Sequence, residues 1–101
     1  MIDFLRSRSL AMERRIYHFD GRVQGVGFRY TAQNIAMRYN VHGYVRNMLD
    51  GRVELVMEGE GDQMEQVIDS LRQRMNGYIR KVSTQAAPAT GEFETFGIRH
   101  Y

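Results

Sequence analysis

The 101-residue chain contains no cysteine, which excludes disulfide bonds and thiolate metal sites. It also has no tryptophan and a single proline, Pro88, and no apolar run approaches the roughly 20 residues of a membrane-spanning helix. The first residues, MIDFLRSRSLA, lack the apolar stretch and small-residue cleavage site of a secretory signal. We therefore expect a cytoplasmic protein that folds without covalent cross-links.

The residues that are present fit one compact domain. Hydrophobic residues make up 43% of the chain and charged residues 26%. A chain of this length hides roughly 60–70% of its unfolded surface on folding. The pattern typical of regular structure begins only near Arg15, so we predict a disordered N-terminal extension over residues 1–11 and a domain over residues 12–101.

The basic residues are almost all arginine. Fourteen Lys plus Arg stand against twelve Asp plus Glu, a formal net charge of +2, and Lys81 is the one lysine. A guanidinium can donate two parallel N–H bonds to a phosphate or carboxylate, so this excess fits anion binding as well as surface salt bridges. Removing Asp3, Arg6 and Arg8 of the extension lowers the net charge from +2 to +1. The domain is therefore close to neutral, and its overall field is not what would attract a ligand.

The spacing of apolar residues predicts five strands and two helices. Strands are indicated where β-prone residues cluster or alternate, and helices where apolar residues recur at i, i+3, i+4 and i+7. The predicted strands are 15–21, 41–48, 52–58, 78–84 and 96–98, and the predicted helices are 29–40 and 62–75. This β-α-β-β-α-β order with an additional C-terminal strand predicts an α+β, ferredoxin-like split βαβ fold. Such a fold is an antiparallel sheet with two helices on one face.

Caps and turns support these boundaries. Asp62 followed by Glu65 is typical of a helix N-cap, and Gly77 of the end of a helix. Asp50-Gly51 marks a hairpin turn that requires a positive φ. The apolar stripes of the two helices are Ala32, Ile35, Ala36 and Tyr39, and Met64, Val67, Ile68, Leu71 and Met75. These stripes are the sides that we expect to face the sheet.

A glycine-rich loop joins the first strand to the first helix. The segment Gly21–Arg29 reads GRVQGVGFR. Free N–H groups at a helix start bind anions, glycines allow the backbone to curl close to a ligand, and Arg29 adds a forked, charged donor. The segment matches neither the nucleotide P-loop nor the dinucleotide G-x-G-x-x-G motif. We interpret it as a phosphoryl-binding loop, with a tight turn and a surface arginine as the simpler alternative.

Asn47 lies near the end of the first hairpin strand, within GYVRNMLDG. In a split βαβ sheet, the strand after the first helix can lie near the loop that precedes this helix, so the amide could face a bound anion. An amide both donates and accepts hydrogen bonds and can therefore orient a water molecule. The alternative is an asparagine that bonds only to its own turn backbone.

These two segments resemble the two motifs of the acylphosphatase family. The first is Gly21–Arg29, and the second is Gly43–Asn47, followed by Gly51, Val53 and Gly59 at the family's spacing. Agreement over two separated motifs is specific.

The resemblance extends from about Arg15 to Tyr101. It departs from the family at Phe19, where an aliphatic residue is usual, and at Leu49, which replaces a frequent proline. Neither position belongs to the two motifs that would carry the chemistry.

The resemblance implies the fold predicted above and hydrolysis of acyl phosphates without a metal or cofactor. It implies that Arg29 and the loop backbone hold the phosphoryl group and that Asn47 positions the attacking water. The loop residues implied in substrate binding are Gln24, Gly25, Val26, Gly27 and Phe28. The partner is then a small acyl phosphate rather than nucleic acid or a membrane, and we expect a monomer.

The remaining candidates for acid–base chemistry are His18, His42, His100, Glu54, Glu58 and Glu60. The histidines are scattered, and the three glutamates, on the third strand and its exit, predict a solvated face. An acyl phosphate expels a carboxylate whose conjugate acid has a pKa of about 4, so its hydrolysis needs little help from a general acid. A phosphate monoester would instead need an acid, a metal ion or a covalent nucleophile. The sparse set therefore fits an activated substrate.

Three other functions remain open at this stage. An RNA recognition motif has the same element order, and Gly25–Tyr30 faintly resembles its glycine and aromatic motif, but the third strand, 52–58, carries no aromatic residue on which bases could stack. Hydrogenase-maturation carbamoyltransferases contain a similar domain followed by cysteine-rich zinc segments, so the absence of cysteine favours a free-standing enzyme. The third alternative is a phosphate-binding protein without catalytic activity.

Overall fold

A computed structural model describes residues 11–100 of the chain, which form five strands and two helices. In chain order the elements are β1 (Met12–Gly21), α1 (Phe28–Ala36), β2 (Val41–Asn47), β3 (Val53–Glu60), α2 (Gly61–Arg74), β4 (Ile79–Pro88) and β5 (Phe96–Arg99). The strands make one sheet in the order β4-β1-β3-β2-β5. The α+β, ferredoxin-like prediction is confirmed. The predicted extension falls almost wholly on residues 1–10, outside the described part of the chain.

The sheet is antiparallel, as predicted, except at one edge, where a parallel pair makes it mixed. β1 runs antiparallel to β3 and β4, and β2 antiparallel to β3, but β5 pairs with β2 in parallel. The reason is topological. β4 ends opposite the start of β1, at the end of the sheet where β2 also begins, so a chain that crosses from there enters β5 in the direction of β2.

The two helices cover one face of the sheet. Helix α1 contacts α2, β2 and β5, and α2 also contacts β3. The buried sheet residues beneath them include Tyr17, Phe19, Val45, Val53, Leu55 and Met57. Both predicted helical stripes are buried as well, except for Tyr39, which is half-buried and packs against the core. The apolar face of the sheet and the apolar sides of the two helices thus form a single core.

Helix α1 is shorter than predicted, because it ends at Ala36 rather than near residue 40. The N–H groups of Arg38 and Tyr39 donate to the carbonyls of Ile35 and Ala36, both at 3.0 Å. These i→i+3 bonds tighten the last turn and leave Tyr39 beyond the helix.

Helix α2 begins one residue before the predicted cap. Its N-cap is Glu60, in extended conformation, and Asp62 lies within the first turn. The prediction of Asp62 as the N-cap is therefore wrong, although its charge still faces the positive end of the helix dipole. The predicted glycine signals hold, since Gly77 after α2 and Gly51 in the β2–β3 turn have φ of 97° and 96°.

The other face of the sheet holds a polar network that the sequence interpretation missed. Glu58, predicted as solvated, is only 5% exposed and accepts hydrogen bonds from Arg14 Nε (2.7 Å), Thr90 N (2.9 Å) and Gly91 N (2.9 Å). Burial alone would raise the pKa of Glu58, but these donors outweigh it and lower the pKa to about 2. The segment 89–95 therefore lies across this face, tied to β3 by a buried carboxylate.

Glu54 is a second half-buried acceptor on the same face. It accepts from Arg46 Nε at 2.7 Å and from Tyr44 OH at 3.0 Å, and His18 Nε2 lies 3.0 Å from its other oxygen. Burial opposes ionisation here too, but Arg46, His18 and Tyr44 hold the pKa of Glu54 below its usual value. Glu54 and Glu58 thus stabilise the sheet instead of forming the solvated face that was predicted.

Candidate active site

The glycine-rich loop closes onto the start of α1. Gly25 and Gly27 have φ of 78° and 79°, a left-handed conformation that favours glycine, and no atom lies within 4 Å of where their Cβ atoms would be. The backbone conformation, rather than crowding, therefore requires these glycines. Together they turn the chain sharply between β1 and the helix.

Within residues 11–100, no side chain caps the N-terminus of α1. Gly27 is the N-cap and has no side chain to cap the helix, and the first turn contains no acidic residue. The first bond of the helix runs from Thr31 N to Gly27 O at 3.0 Å, and Thr31 Oγ1 donates to the same carbonyl at 2.9 Å. The donors that precede Thr31 and the positive end of the helix dipole are thus available to an anion.

A cavity of about 180 Å³ opens at this helix start. It is lined by Val23, Gly25, Gly27, Phe28, Arg29, Tyr30 and Asn47. The structure thus brings both predicted catalytic residues together with three of the predicted loop residues, across a separation of 18 positions between Arg29 and Asn47 (47 − 29). The predicted loop residues Gln24 and Val26 are not part of this lining.

Two lining residues were not predicted. Val23 is buried and forms part of the apolar floor, whereas Tyr30 is 70% exposed at the rim. The position of Tyr30 in the first turn of α1, directly after Arg29, is the sequence signal that would have identified it. Val23 carries no such signal, because an apolar residue in a loop is ordinarily assigned to the core.

Strand alternation accounts for the position of Asn47. It is the last residue of β2 and pairs with Val53 of β3, and Val45, two residues before it, is buried in the core. Side chains two apart on a strand share a face, so Asn47 lies on the helix side of the sheet. There it meets the start of α1.

A larger cavity, of about 530 Å³, lies beside the β2–β3 turn. Its described lining is Arg46, Met48, Leu49 and Asp50. Arg46 bonds to Glu54 on the face opposite the helices. The sheet therefore separates this cavity from Asn47, and the smaller cavity is the one that combines a helix N-terminus with charged and amide side chains.

Arg29 contacts a residue near the end of the described chain. Its Nη1 lies 3.4 Å from His100 Nδ1. Because a guanidinium only donates hydrogen bonds, this contact requires an unprotonated Nδ1. Other arginines are ion-paired instead: Arg14, Arg15, Arg46 and Arg52 each contact a carboxylate. His100, which seemed unconnected in the sequence, thus lies beside the cavity.

The side-chain amide of Gln24 bonds to the backbone of the β2–β3 turn and is not free to bind an anion. Its Nε2 donates to the carbonyls of Met48 and Arg52, at 2.8 Å and 2.9 Å. The glutamine therefore links the loop to the β2–β3 turn, and only its backbone remains for the binding role that was predicted.

Residues 11–100 contain neither a cluster of metal-ligating side chains nor a helix able to span a membrane. Within residues 11–100, no three His, Asp or Glu side chains are grouped so that they could hold a metal ion. Neither α1 nor α2, the helices of the described range, has the length and apolar character needed to span a bilayer.

Comparison with known proteins identifies relatives of this chain. The sequence model of the acylphosphatase family matches residues 15–98. The chain is 38% identical over 88 residues to an acylphosphatase from Syntrophus aciditrophicus (strain SB), covering 86% of this chain and 92% of the relative. It also superposes on the crystal structure of acylphosphatase from Bacillus subtilis with a TM-score of 0.78 and 31% identity, covering 88% of this chain and 99% of that one.

A third similarity involves a much larger protein. The crystal structure of T. kodakarensis HypF matches with a TM-score of 0.76 and 30% identity, over 88% of this chain but 12% of that chain. The similarity to the two acylphosphatases, in contrast, extends over nearly their whole length. The matched residues include the glycine-rich loop, Arg29 and Asn47. The chain belongs to the acylphosphatase family of hydrolases.

Proposed function

We propose that this protein hydrolyses acyl phosphates to a carboxylate and inorganic phosphate, without a metal ion. The observation that carries the proposal is the single cavity that contains a glycine-rich helix start, Arg29 and Asn47. The family assignment and the names of the relatives support the same reaction.

Arg29 and the loop backbone are the proposed phosphoryl-binding groups. Phosphoryl transfer spreads negative charge over three equatorial oxygens, and a protein accelerates it mainly through positioning and charge stabilisation. The uncapped start of α1 supplies N–H donors, and the Arg29 guanidinium supplies a permanent positive charge beside them. The backbone from Gln24 to Phe28 completes the proposed cradle.

Asn47 is the proposed water-positioning residue. Its amide oxygen can accept a hydrogen bond from a water molecule while its nitrogen donates to a phosphoryl oxygen. The lone pair of the water then attacks phosphorus, and the bond from phosphorus to the acyl oxygen breaks. The electron pair of that bond leaves on the carboxylate.

The proton of the attacking water is proposed to move to a phosphoryl oxygen of the substrate. None of the described lining residues carries a carboxylate or an imidazole, and His100, which lies beside the cavity, has its Nδ1 against the Arg29 guanidinium. The leaving carboxylate, whose conjugate acid has a pKa of about 4, needs little protonation. Substrate-assisted proton transfer therefore balances the reaction with the groups present.

The face of the sheet opposite the helices does not favour an RNA-binding role. The aromatic rings there are already engaged, since Tyr44 packs edge-on against Phe93 and lies 4.0 Å beneath the Arg99 guanidinium. The segment 89–95 lies across the same face and is bonded to Glu58. Bases would have to displace this segment before they could stack.

We further propose that the domain over residues 12–101 acts as a monomer in the cytoplasm. The described lining comes from the loop after β1, the start of α1 and the end of β2, so the proposed mechanism uses no residue of a second copy. The substrate is then a small acyl phosphate.

The test compares two substrates of the purified protein, each with and without EDTA. We expect hydrolysis of an aryl acyl phosphate, at least 100-fold slower hydrolysis of an aryl phosphate monoester, and no change in either rate with EDTA. Release of inorganic phosphate is measured in each case. Activity on neither substrate would overturn the proposed function, and strong inhibition by EDTA would overturn the metal-free mechanism.

A further inference from the structure

The side chain of Gln24 joins the two parts of the candidate site. Its Nε2 donates to Met48 O at 2.8 Å and to Arg52 O at 2.9 Å, and the residue is half-buried. Met48 directly follows Asn47 in the chain, and Gln24 directly precedes Gly25 of the loop. One amide thus connects the phosphoryl-binding loop to the strand end that carries Asn47.

The two carbonyls belong to the bonds that close the β2–β3 turn. Met48 N donates to Arg52 O at 2.8 Å, and Gly51 N donates to Met48 O at 3.1 Å. Each carbonyl therefore accepts a turn bond and a bond from Gln24. Both amide hydrogens of Gln24 are used, so the orientation of the amide is fixed, because the flipped amide would place its oxygen against two carbonyl oxygens.

Backbone pairing does not make this connection. The loop follows β1, whereas Asn47 ends β2, and β3 lies between these two strands in the sheet. Ladder bonds hold Asn47 to Val53 of β3, but no ladder joins β1 to β2 directly. The side chain of Gln24 crosses the start of β3 and bridges this gap.

We propose that Gln24 is a positioning residue that sets the distance between Asn47 and the bound phosphoryl group. The inference rests on the proposed function, in which Asn47 holds the attacking water. In-line attack requires the water close to phosphorus, and a displacement of about 1 Å costs on the order of 100-fold in rate. Gln24 acts through the turn and does not touch the reacting atoms with its side chain.

The first test replaces Gln24 with methionine, which has a similar length and no donor. We expect kcat of Gln24→Met for an aryl acyl phosphate to fall tenfold to 100-fold, and the inhibition constant of inorganic phosphate to change less than threefold. Gln73→Met is the matched control, because Gln73 is exposed on α2, and it keeps both constants. Far-UV circular dichroism confirms that each variant is folded.

A second test asks whether Gln24 acts through Asn47. In protein that already carries Asn47→Ala, the additional change Gln24→Met lowers kcat less than twofold. A further tenfold loss in that background, or a loss of phosphate binding in the single variant, contradicts a positioning role.

A third test measures how kcat of the variant Gln24→Glu depends on pH. Its carboxylate cannot donate, whereas its protonated form has one O–H donor for a carbonyl. The ratio of its kcat to that of the unmodified protein therefore rises as pH falls through the carboxyl pKa. A flat ratio overturns the inference, as does loss of folding in both Gln24 variants, which would assign this side chain to stability. Inactive unmodified protein would instead overturn the proposed function.

Discussion

Arg46 and Asn47 are consecutive residues of β2 whose side chains lie on opposite faces of the sheet. Arg46 bonds to Glu54 at 2.7 Å in the polar network, and Asn47 lines the cavity on the helix side. One strand thus contributes to stability with one residue and to the candidate site with the next. Substitutions at the two positions are expected to have different effects.

The variant Asn47→Ala is expected to lose at least 100-fold in kcat for an acyl phosphate and to retain phosphate binding. The reason is that the proposed role of Asn47 concerns the water and the transition state rather than the bound anion. Steady-state kinetics and product inhibition by inorganic phosphate measure the two effects. A variant with near-normal kcat would refute the role of Asn47.

The variant Arg29→Ala is expected to weaken inhibition by inorganic phosphate at least tenfold and to lower kcat/KM still further. In the proposed mechanism, this guanidinium holds the phosphoryl oxygens in both the ground state and the transition state. Arg38→Ala is the matched control, since Arg38 is exposed just beyond the end of α1, and it retains phosphate binding. Equal effects of the two variants would mean that general charge, rather than the site, attracts the anion.

Glu58 provides a prediction about stability and pH. Its folded pKa of about 2 lies below the ordinary value of 4.5, so ionised Glu58 stabilises the fold above pH 4.5 and this contribution disappears as pH falls through about 2. We expect Glu58→Gln to lose about 2 kcal/mol of unfolding free energy at pH 7. Urea unfolding at pH 7 and pH 3 measures the difference.

The difference between Glu58→Gln and the unmodified protein should shrink at pH 3, because the Glu58 carboxyl group is protonated in the unfolded chain at that pH and this proton uptake favours unfolding. A constant difference at both pH values would show that the ionisation of Glu58 does not contribute. Acyl phosphate hydrolysis by the folded variant is expected to be nearly unchanged, since Glu58 lies on the face opposite the cavity.

Alanine substitutions at two glycines distinguish an effect of backbone strain on stability from an effect on phosphate binding. Gly27 and Gly77 have φ of 79° and 97°, and both have open space where a Cβ would stand. Alanine at either position therefore costs about 1 kcal/mol of stability through strain alone. Only Gly27 belongs to the loop, so we expect Gly27→Ala, and not Gly77→Ala, to weaken phosphate inhibition. Thermal unfolding and kinetics check both halves of the prediction.

Local patterns predicted the features that depend on neighbouring residues. The buried stripe of α2, from Met64 to Met75, and the turn at Gly51 follow from spacing and from backbone preference. The loop from Gly21 to Arg29 was likewise predictable, because the end of a strand, several glycines and the start of a helix follow one another within nine residues.

Long-range contacts account for what the sequence did not reveal. Glu58 looks like a surface residue until Thr90 and Gly91, more than 30 positions later, supply donors to it. The loop sequence predicts a binding role for the backbone at Gln24 but gives no signal that its side chain bonds to the turn carbonyl of Met48. Because such hydrogen-bond partners are far apart in the chain and follow no regular spacing, the sequence pattern does not predict them.

The interior position of β1 in the sheet also bears on how the chain folds during synthesis. Both sides of β1 are paired, one with β3 and the other with β4, and β4 lies near the opposite end of the chain. Pairings between such distant segments form slowly relative to local ones. During synthesis on the ribosome, we therefore expect Tyr17 and Phe19 to become fully buried only after the C-terminal half of the chain has been made. The loop continues directly from β1, so we expect phosphate binding by the proposed site to be detectable only after β4 has paired with β1.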